Sequence, residues 1–321
     1  MSTNLTDPIY QDAEAARAYL ESVQWPEGPI CPHCGNVEAG TMPKVEGEKR
    51  SHRAGRYYCN ACKGQFTVTV GTVFERSKIP LNKWVLAAHL MAASKKGMSS
   101  HQLKRMLGVT YKTAWFLAHR LRKAMEADPT KTGPIGGSGK TVEADETYIG
   151  KKDDQSPSPQ RKGKPYLKRK PGNIKRTVVA LVERGGRVRS FHVENADKPT
   201  VNRIARENIE RETRIHTDES RLYSDVEMSF ADHERVRHTA GEYVRGDVHI
   251  NSAEGVFSIF KRGMTGIYQH CAEKNLHRYL AEFDFRYNNR VKLGVGDALR
   301  ADLALQGIVG KRLTYRTTAR G

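Results

Sequence analysis

Hydrophobic and polar positions along the chain change period from one stretch to the next. Between residues 56 and 74, RYYC and GQFTVTVGTVF alternate like the two strands of a hairpin. From Leu81 the period lengthens, and Trp84, Leu86, Ala87, Leu90 and Met91 fall at helical spacing. In residues 99–126, Leu103, Met106 and Leu107 share one apolar face, which Gly108 ends. Thr110 is placed to cap a second helix, whose stripe is Val109, Ala114, Leu117, Ala118 and Leu121. Two short helices joined by such a turn predict a helix-turn-helix. Its second helix would present Tyr111, Lys112, Trp115, His119, Arg120 and Arg122 partly outward, although a plain helical hairpin fits the same pattern.

DPTKTGPIGGSGK, residues 128–140, has the composition of a linker. VEADETYIG, residues 142–150, then reads as a strand, and a polar, lysine-rich loop follows over residues 151–173. KRTVVALVERGG and RVRSFHVENA predict a hairpin across Gly185-Gly186. KPTVNRIARENIE is a helix with Val201, Ile204, Ala205 and Ile209 on one face, and RETRIHTDES a short strand ending at Asp218. After a polar stretch, Asn251 or Ser252 starts a helix carrying Glu254, Phe257, Phe260 and Lys261, and EKNLHRYLAEFDFRYNNR is a final periodic helix. Strand, hairpin, helix, strand, loop, helix is the order of an RNase H-like α/β domain.

Charge changes the picture. Lys and Arg number 54 against 36 Asp and Glu, a formal charge of +18, in a chain of 321 residues that is 38% hydrophobic. That is enough apolar content for real cores, and an excess of cations that points to a polyanion partner. No apolar run is long enough to span a bilayer and no secretory leader is evident, so a soluble cytoplasmic protein without a membrane partner is expected.

Four of the five cysteines form two pairs, CPHC (Cys31, Cys34) and CNAC (Cys59, Cys62), with 24 residues between the pairs. Two thiolates on each tight turn can reach one tetrahedral Zn²⁺. The interval exceeds the usual roughly 15–20 residues, and the polar, basic TMPKVEGEKRSHRAGR accounts for the extra length. A zinc ribbon with a closed structural site is predicted. His33 is a further candidate donor; Cys271 reads as a buried thiol among helical residues.

Glu143, Asp145 and Glu146 are unusual in the middle of a strand, because an unpaired buried carboxylate is costly. The predicted topology offers a reason. It brings Asp145, Asp218 and Glu254 together, and three carboxylates suit Mg²⁺, which would compensate their charge. An acid at a strand end also serves as a turn residue or an arginine partner, and Glu254 could close a capping box begun at Asn251.

CPHC…CNAC, VEADETYIG, IHTDES, HINSAEGVFSIFKRG and HRYLAEFDFRYNNR together resemble the zinc-ribbon, DDE-type insertion-sequence transposases, over roughly residues 20–290. That resemblance implies an RNase H-like catalytic domain with Asp145 and Asp218 as the first two catalytic acids. It leaves Glu254, with Asn251 as runner-up, for the third metal ligand, and makes Lys261 the basic residue that grips DNA phosphate. It further implies Zn²⁺ as structural metal and Mg²⁺ or Mn²⁺ as catalytic metal. The partners are double-stranded DNA, both element ends and target, and other copies of the chain on DNA, at a prokaryotic nucleoid. The expected reaction is strand cleavage and strand transfer. A DNA-binding regulator with an inactive domain and an RNase H-like nuclease without strand transfer are the alternatives. The expected layout is N-terminal segment and ribbon 1–77, helix-turn-helix 78–130, linker 131–140, catalytic domain 141–292 and basic tail 293–321.

Overall fold

A computed structural model of the chain describes residues 4–45, 54–150 and 175–314. The lysine-rich loop over residues 151–173 and part of the inter-cysteine loop therefore lie outside the described residues. In chain order the elements are helices α1 (Pro8–Gln11) and α2 (Ala13–Gln24), strands β1 (Tyr57–Tyr58) and β2 (Gln65–Phe66), and helices α3 (Leu81–Ala93), α4 (Ser100–Leu107), α5 (Tyr111–Met125) and α6 (Pro129–Thr132). They continue with β3 (Thr141–Ile149), β4 (Arg176–Glu183), β5 (Val188–Val193), α7 (Lys198–Asn208), β6 (Arg214–Thr217), β7 (Asp232–Arg235), α8 (Asn251–Gly263), α9 (Leu276–Asn288) and α10 (Asp297–Gln306). They fall into two compact units, one running to Glu126 and resuming at Asn289, the other spanning Ala127–Asn288.

In the first unit α3 is apolar almost all round, burying Trp84, Val85, Ala87, Ala88, Met91 and Ala92, as befits a central helix. α1, α2, α4, α5 and α10 pack around it. The α4–α5 turn forms as its sequence predicts. The Ser99 hydroxyl accepts the amide of Gln102 at 3.1 Å, Gly108 takes the left-handed conformation (φ 60°) that closes α4, and the Thr110 hydroxyl accepts the amide of Thr113 at 3.2 Å.

Three expectations need correction in this unit. His119 and Arg122, read as partly outward, are both 0% exposed: α5 is enclosed beyond its first turn, and of the six only Tyr111 and Lys112 are exposed. GQFTVTVGTVF is a strand only at Gln65–Phe66; from Thr67 successive turns (Val70 amide to Thr67 carbonyl, Thr72 to Thr69, Glu75 to Thr72) bury Val68, Val73 and Phe74 without pairing them in a sheet. The stretch set apart as a basic tail contains α10. Arg300 there is buried and donates to the Ala92 carbonyl at 3.1 Å, and Lys311 donates to the last carbonyls of α5, Ala124 at 2.8 Å and Glu126 at 2.6 Å. Gly307 lies so close to the Ala124 carbonyl that a Cβ there would stand 2.3 Å from it.

The second unit is built on a five-stranded sheet of order β5-β4-β3-β6-β7. β3, β4 and β5 pair antiparallel, and β6 and β7 run parallel to β3, the mixed sheet of an RNase H-like fold. The hairpin turns at Gly185, whose φ of 74° is left-handed. β7 escaped the sequence reading because DHER carries no strand-like alternation. One face of the sheet, with Val142, Ala144, Val179 and Leu181, packs on Val201, Ile204 and Ala205 of α7. The other, with Val178, Ala180 and Val182, packs on Val256, Phe257 and Phe260 of α8 and on Leu280 and Phe283 of α9. β4 is thus covered on both faces, which is why its sequence is an unbroken apolar run. Cys271 is half-buried against this second core, in an irregular stretch between Tyr268 and Glu273 rather than within a helix. Among the described residues no helix is long and apolar enough to cross a membrane.

Candidate metal centre and active site

Two tight turns shape the cysteine site. The Gly35 amide donates to the Cys31 carbonyl at 2.9 Å and the Cys59 amide to the Gly64 carbonyl at 2.8 Å, so both thiols of each pair point the same way. Cys31 and Cys62 sulfurs lie 3.7 Å apart, as do those of Cys34 and Cys59, and all four fall within 4.8 Å of one another. A disulfide would need about 2.05 Å. The edge of a tetrahedron of sulfurs around Zn²⁺, with bonds of about 2.3 Å, is about 3.8 Å. The donor set fits a structural zinc ion. His33 is outside it, its Nε2 3.2 Å from the Gln65 carbonyl.

The three acids of VEADETYIG part company. Side chains alternate along β3, so Glu143 and Asp145 share the α8 face while Glu146 points to the other. Glu143 is 0% exposed and ion-paired to Arg184 at 2.9 Å, so its charge is met by protein groups and not, as its sequence position suggested, by a metal. Glu146 accepts the Tyr223 hydroxyl at 2.9 Å. Among the described residues Asp145 has no such partner; one oxygen accepts the neighbouring Glu146 amide at 2.8 Å.

Asp218 follows β6 directly. The parallel register pairs Glu143 with His216, and two further residues bring Asp218 level with Asp145 on the same face. One Asp218 oxygen accepts the Ser220 amide at 2.9 Å. Glu254 projects from the first turn of α8, exposed; the N-cap of that helix is Ile250, whose side chain cannot cap it, so the Asn251–Glu254 capping box does not form. Asn251, Glu254, Ser258 and Lys261 make one exposed stripe along α8.

The electrostatics register this gathering. Burial, and then the negative charges of Glu146, Asp218 and Glu254, push the Asp145 carboxyl up to about 7. Burial likewise raises Glu146, against the lowering effect of the Tyr223 hydroxyl. The three candidate acids do not close into a group within 4.8 Å, as the thiols do.

Comparison with known proteins agrees with this division. An ISXO2-like transposase domain matches residues 136–288, and a transposase zinc-ribbon domain matches residues 11–65. An uncharacterized protein in transposable element ISH50 of Halobacterium salinarum is 31% identical over 277 residues, covering 83% of this chain and 88% of that protein. The chain belongs to the ISXO2-like transposase family. This transposase is therefore a DNA-processing protein with an N-terminal zinc ribbon and a mixed-sheet α/β transposase domain.

Two features of the transposase site escaped the sequence reading. One is the part played by Glu143, whose partners lie 109 and 110 residues away and leave no local signal. The other is the Tyr223–Glu146 pair, for which an acid on the opposite face of the strand was the available hint.

Proposed function

We propose that this transposase binds the ends of its element, cleaves the DNA strands there and joins the 3′ ends to target DNA, acting as a homo-oligomer on DNA at the nucleoid. The observation that carries the reading is the convergence of Asp145, Asp218 and Glu254 on one face of the sheet, in a chain whose formal charge is +18. Among the described residues Asp145 on β3 and Asp218 just after β6 each keep one carboxylate oxygen without a hydrogen-bond partner, and the burial and neighbouring negative charge that raise Asp145 are what a divalent cation offsets. Glu254 is favoured as third ligand over Asn251, because its charge is felt at Asp145 and a carboxylate binds Mg²⁺ or Mn²⁺ better than an amide. Such ions, once bound, favour attack by a hydroxyl and departure of the opposite oxygen at phosphorus.

Lys261 lies seven residues beyond Glu254, about 10 Å along the helix, exposed and free to grip a phosphate. DNA contact is assigned to the ribbon and to the exposed side chains of α4 and the start of α5, among them His101, Lys104, Arg105, Tyr111 and Lys112.

The test is Mg²⁺-dependent nicking of a DNA duplex carrying an element end, followed by joining of its 3′-hydroxyl to a second duplex. Nicking that needs Asp145 and proceeds to joining supports the reading. DNA binding without nicking favours a regulator, and nicking without joining favours a nuclease.

A further inference from the structure

Glu143 is fully buried, yet it makes five polar contacts with elements that lie far from it in sequence. One oxygen accepts the Ser252 amide at 2.7 Å and the Ala253 amide at 3.0 Å. The other accepts the Ser252 hydroxyl at 3.0 Å and Nε of Arg184 at 2.9 Å, with Nδ1 of His249 3.3 Å away. Those amides belong to the first turn of α8, where backbone donors have no partner within the helix. Negative charge is also favoured at that end by the helix dipole. Arg184 extends the grip to the preceding loop, donating to the carbonyls of Asp247 at 2.8 Å and His249 at 3.0 Å.

We propose that Glu143 is a positioning residue, a helix cap supplied by β3 that fixes α8 against the strand bearing Asp145. The proposal rests on the cleavage reading above. The two residues held by Glu143, Ser252 and Ala253, lie between Asn251 and Glu254, the two candidates for the third ligand. Glu143 and Asp145 are two residues apart on the same face of β3, about 6.7 Å along the strand. A single carboxylate therefore ties both halves of the candidate metal site together. A local cap from Asn251 would stabilise the helix equally well but leave it free to shift against the sheet. A displacement near 1 Å is enough to cost about 100-fold in a reaction that depends on alignment.

Glu143→Gln in the full-length protein tests this. The amide keeps the volume but turns a donor toward groups that are themselves donors. At saturating DNA the cleavage rate should fall about 100-fold, while end-binding affinity stays within about two-fold. Glu143→Asp, which keeps the charge on a shorter stem, should recover to within about ten-fold of wild type. A second readout is independent of cleavage. In metal-free protein the Ser252 and Ala253 amides should exchange with solvent about ten-fold faster in Glu143→Gln, with Val256–Phe260 unchanged. If Glu143→Gln does not fold, Glu143→Asp and Ser252→Ala carry the same measurements. Folded variants that cleave at the wild-type rate overturn the proposal. So does a loss of cleavage that only tracks a falling melting temperature, or exchange at Ser252 and Ala253 that does not change. If wild type does not cleave at all, the functional reading fails, and the exchange measurement still decides whether the clamp exists.

Discussion

The thiol cluster and the carboxylate cluster are both candidate metal sites, and they are built in opposite ways. The cysteines sit on two short turns within one small ribbon, and their sulfurs already stand at tetrahedral spacing. The acids come from two strands and a helix, remain partly accessible, and stay further apart. The ribbon's own apolar core is small, Met42 and Phe66 with Trp25 and Tyr57 against them, so its metal contributes to folding. The sheet unit has an extensive apolar core on each face, so its folding is expected to need no metal at its acids. A closed site serves structure, whereas an open one leaves room for substrate oxygens to complete it.

The sharpest way to break that contrast is to exchange the consequences. Asp145→Asn or Asp218→Asn should lower strand cleavage on the order of 10³-fold, with end binding and thermal stability nearly unchanged. Nicking, band-shift and melting experiments together check this, and a variant that unfolds would place the acids with the structural groups. Zinc removal should do the reverse. A strong chelator, or Cys59→Ser, should unfold the ribbon around residues 31–66 and weaken end binding, while the sheet unit keeps its spectroscopic signature. A ribbon whose circular dichroism and DNA affinity survive chelation would contradict a structural zinc.

The choice of third ligand sharpens the open site. Glu254→Gln should abolish cleavage and Asn251→Ala only impair it, by roughly ten-fold. The opposite ranking makes Asn251 the ligand.

The smallest effect concerns a carboxylate of a third kind. Asp284 on α9 accepts the Ser190 amide and hydroxyl, each at 2.7 Å, yet burial raises its carboxyl to about 6. A folded-state value above the unfolded one means that its stabilising share is complete below about pH 4 and is lost as pH rises through about 6. Asp284→Asn can keep both contacts, accepting from the amide and donating to the hydroxyl. At pH 7.5 it should therefore melt about 2–4 °C higher than wild type, with the gap closing as pH falls to 4. A variant that melts lower at pH 7.5 would show that the charge itself is needed.

What was legible in the sequence was local or periodic. The CPHC and CNAC pairs, the Gly108–Thr110 turn and the order of elements around Asp145 and Asp218 each declare themselves within a few residues. What was not legible depended on partners far along the chain. His119 and Arg122 look like surface residues of a basic helix until packing covers that helix beyond its first turn. Glu143 looks like an unexplained acid in a buried strand until Arg184 and the amides of α8 are seen to hold it. Asp232–Arg235 becomes a strand because β6 offers an edge beside it, and its own residues do not ask for one.

The return of α10 to the first unit has a consequence for biosynthesis. Residues 127–288 are inserted within that unit, so the helical module around α3 lacks one wall until the last part of the chain has left the ribosome. The inserted sheet unit, continuous in sequence, can mature first. Closing the discontinuous unit across an insertion of this length has a modest entropic cost but slows folding. Full competence of the helical module therefore comes only after the sheet unit has been made, and a prematurely terminated chain leaves the α10-facing side of α3 uncovered, open to proteolysis.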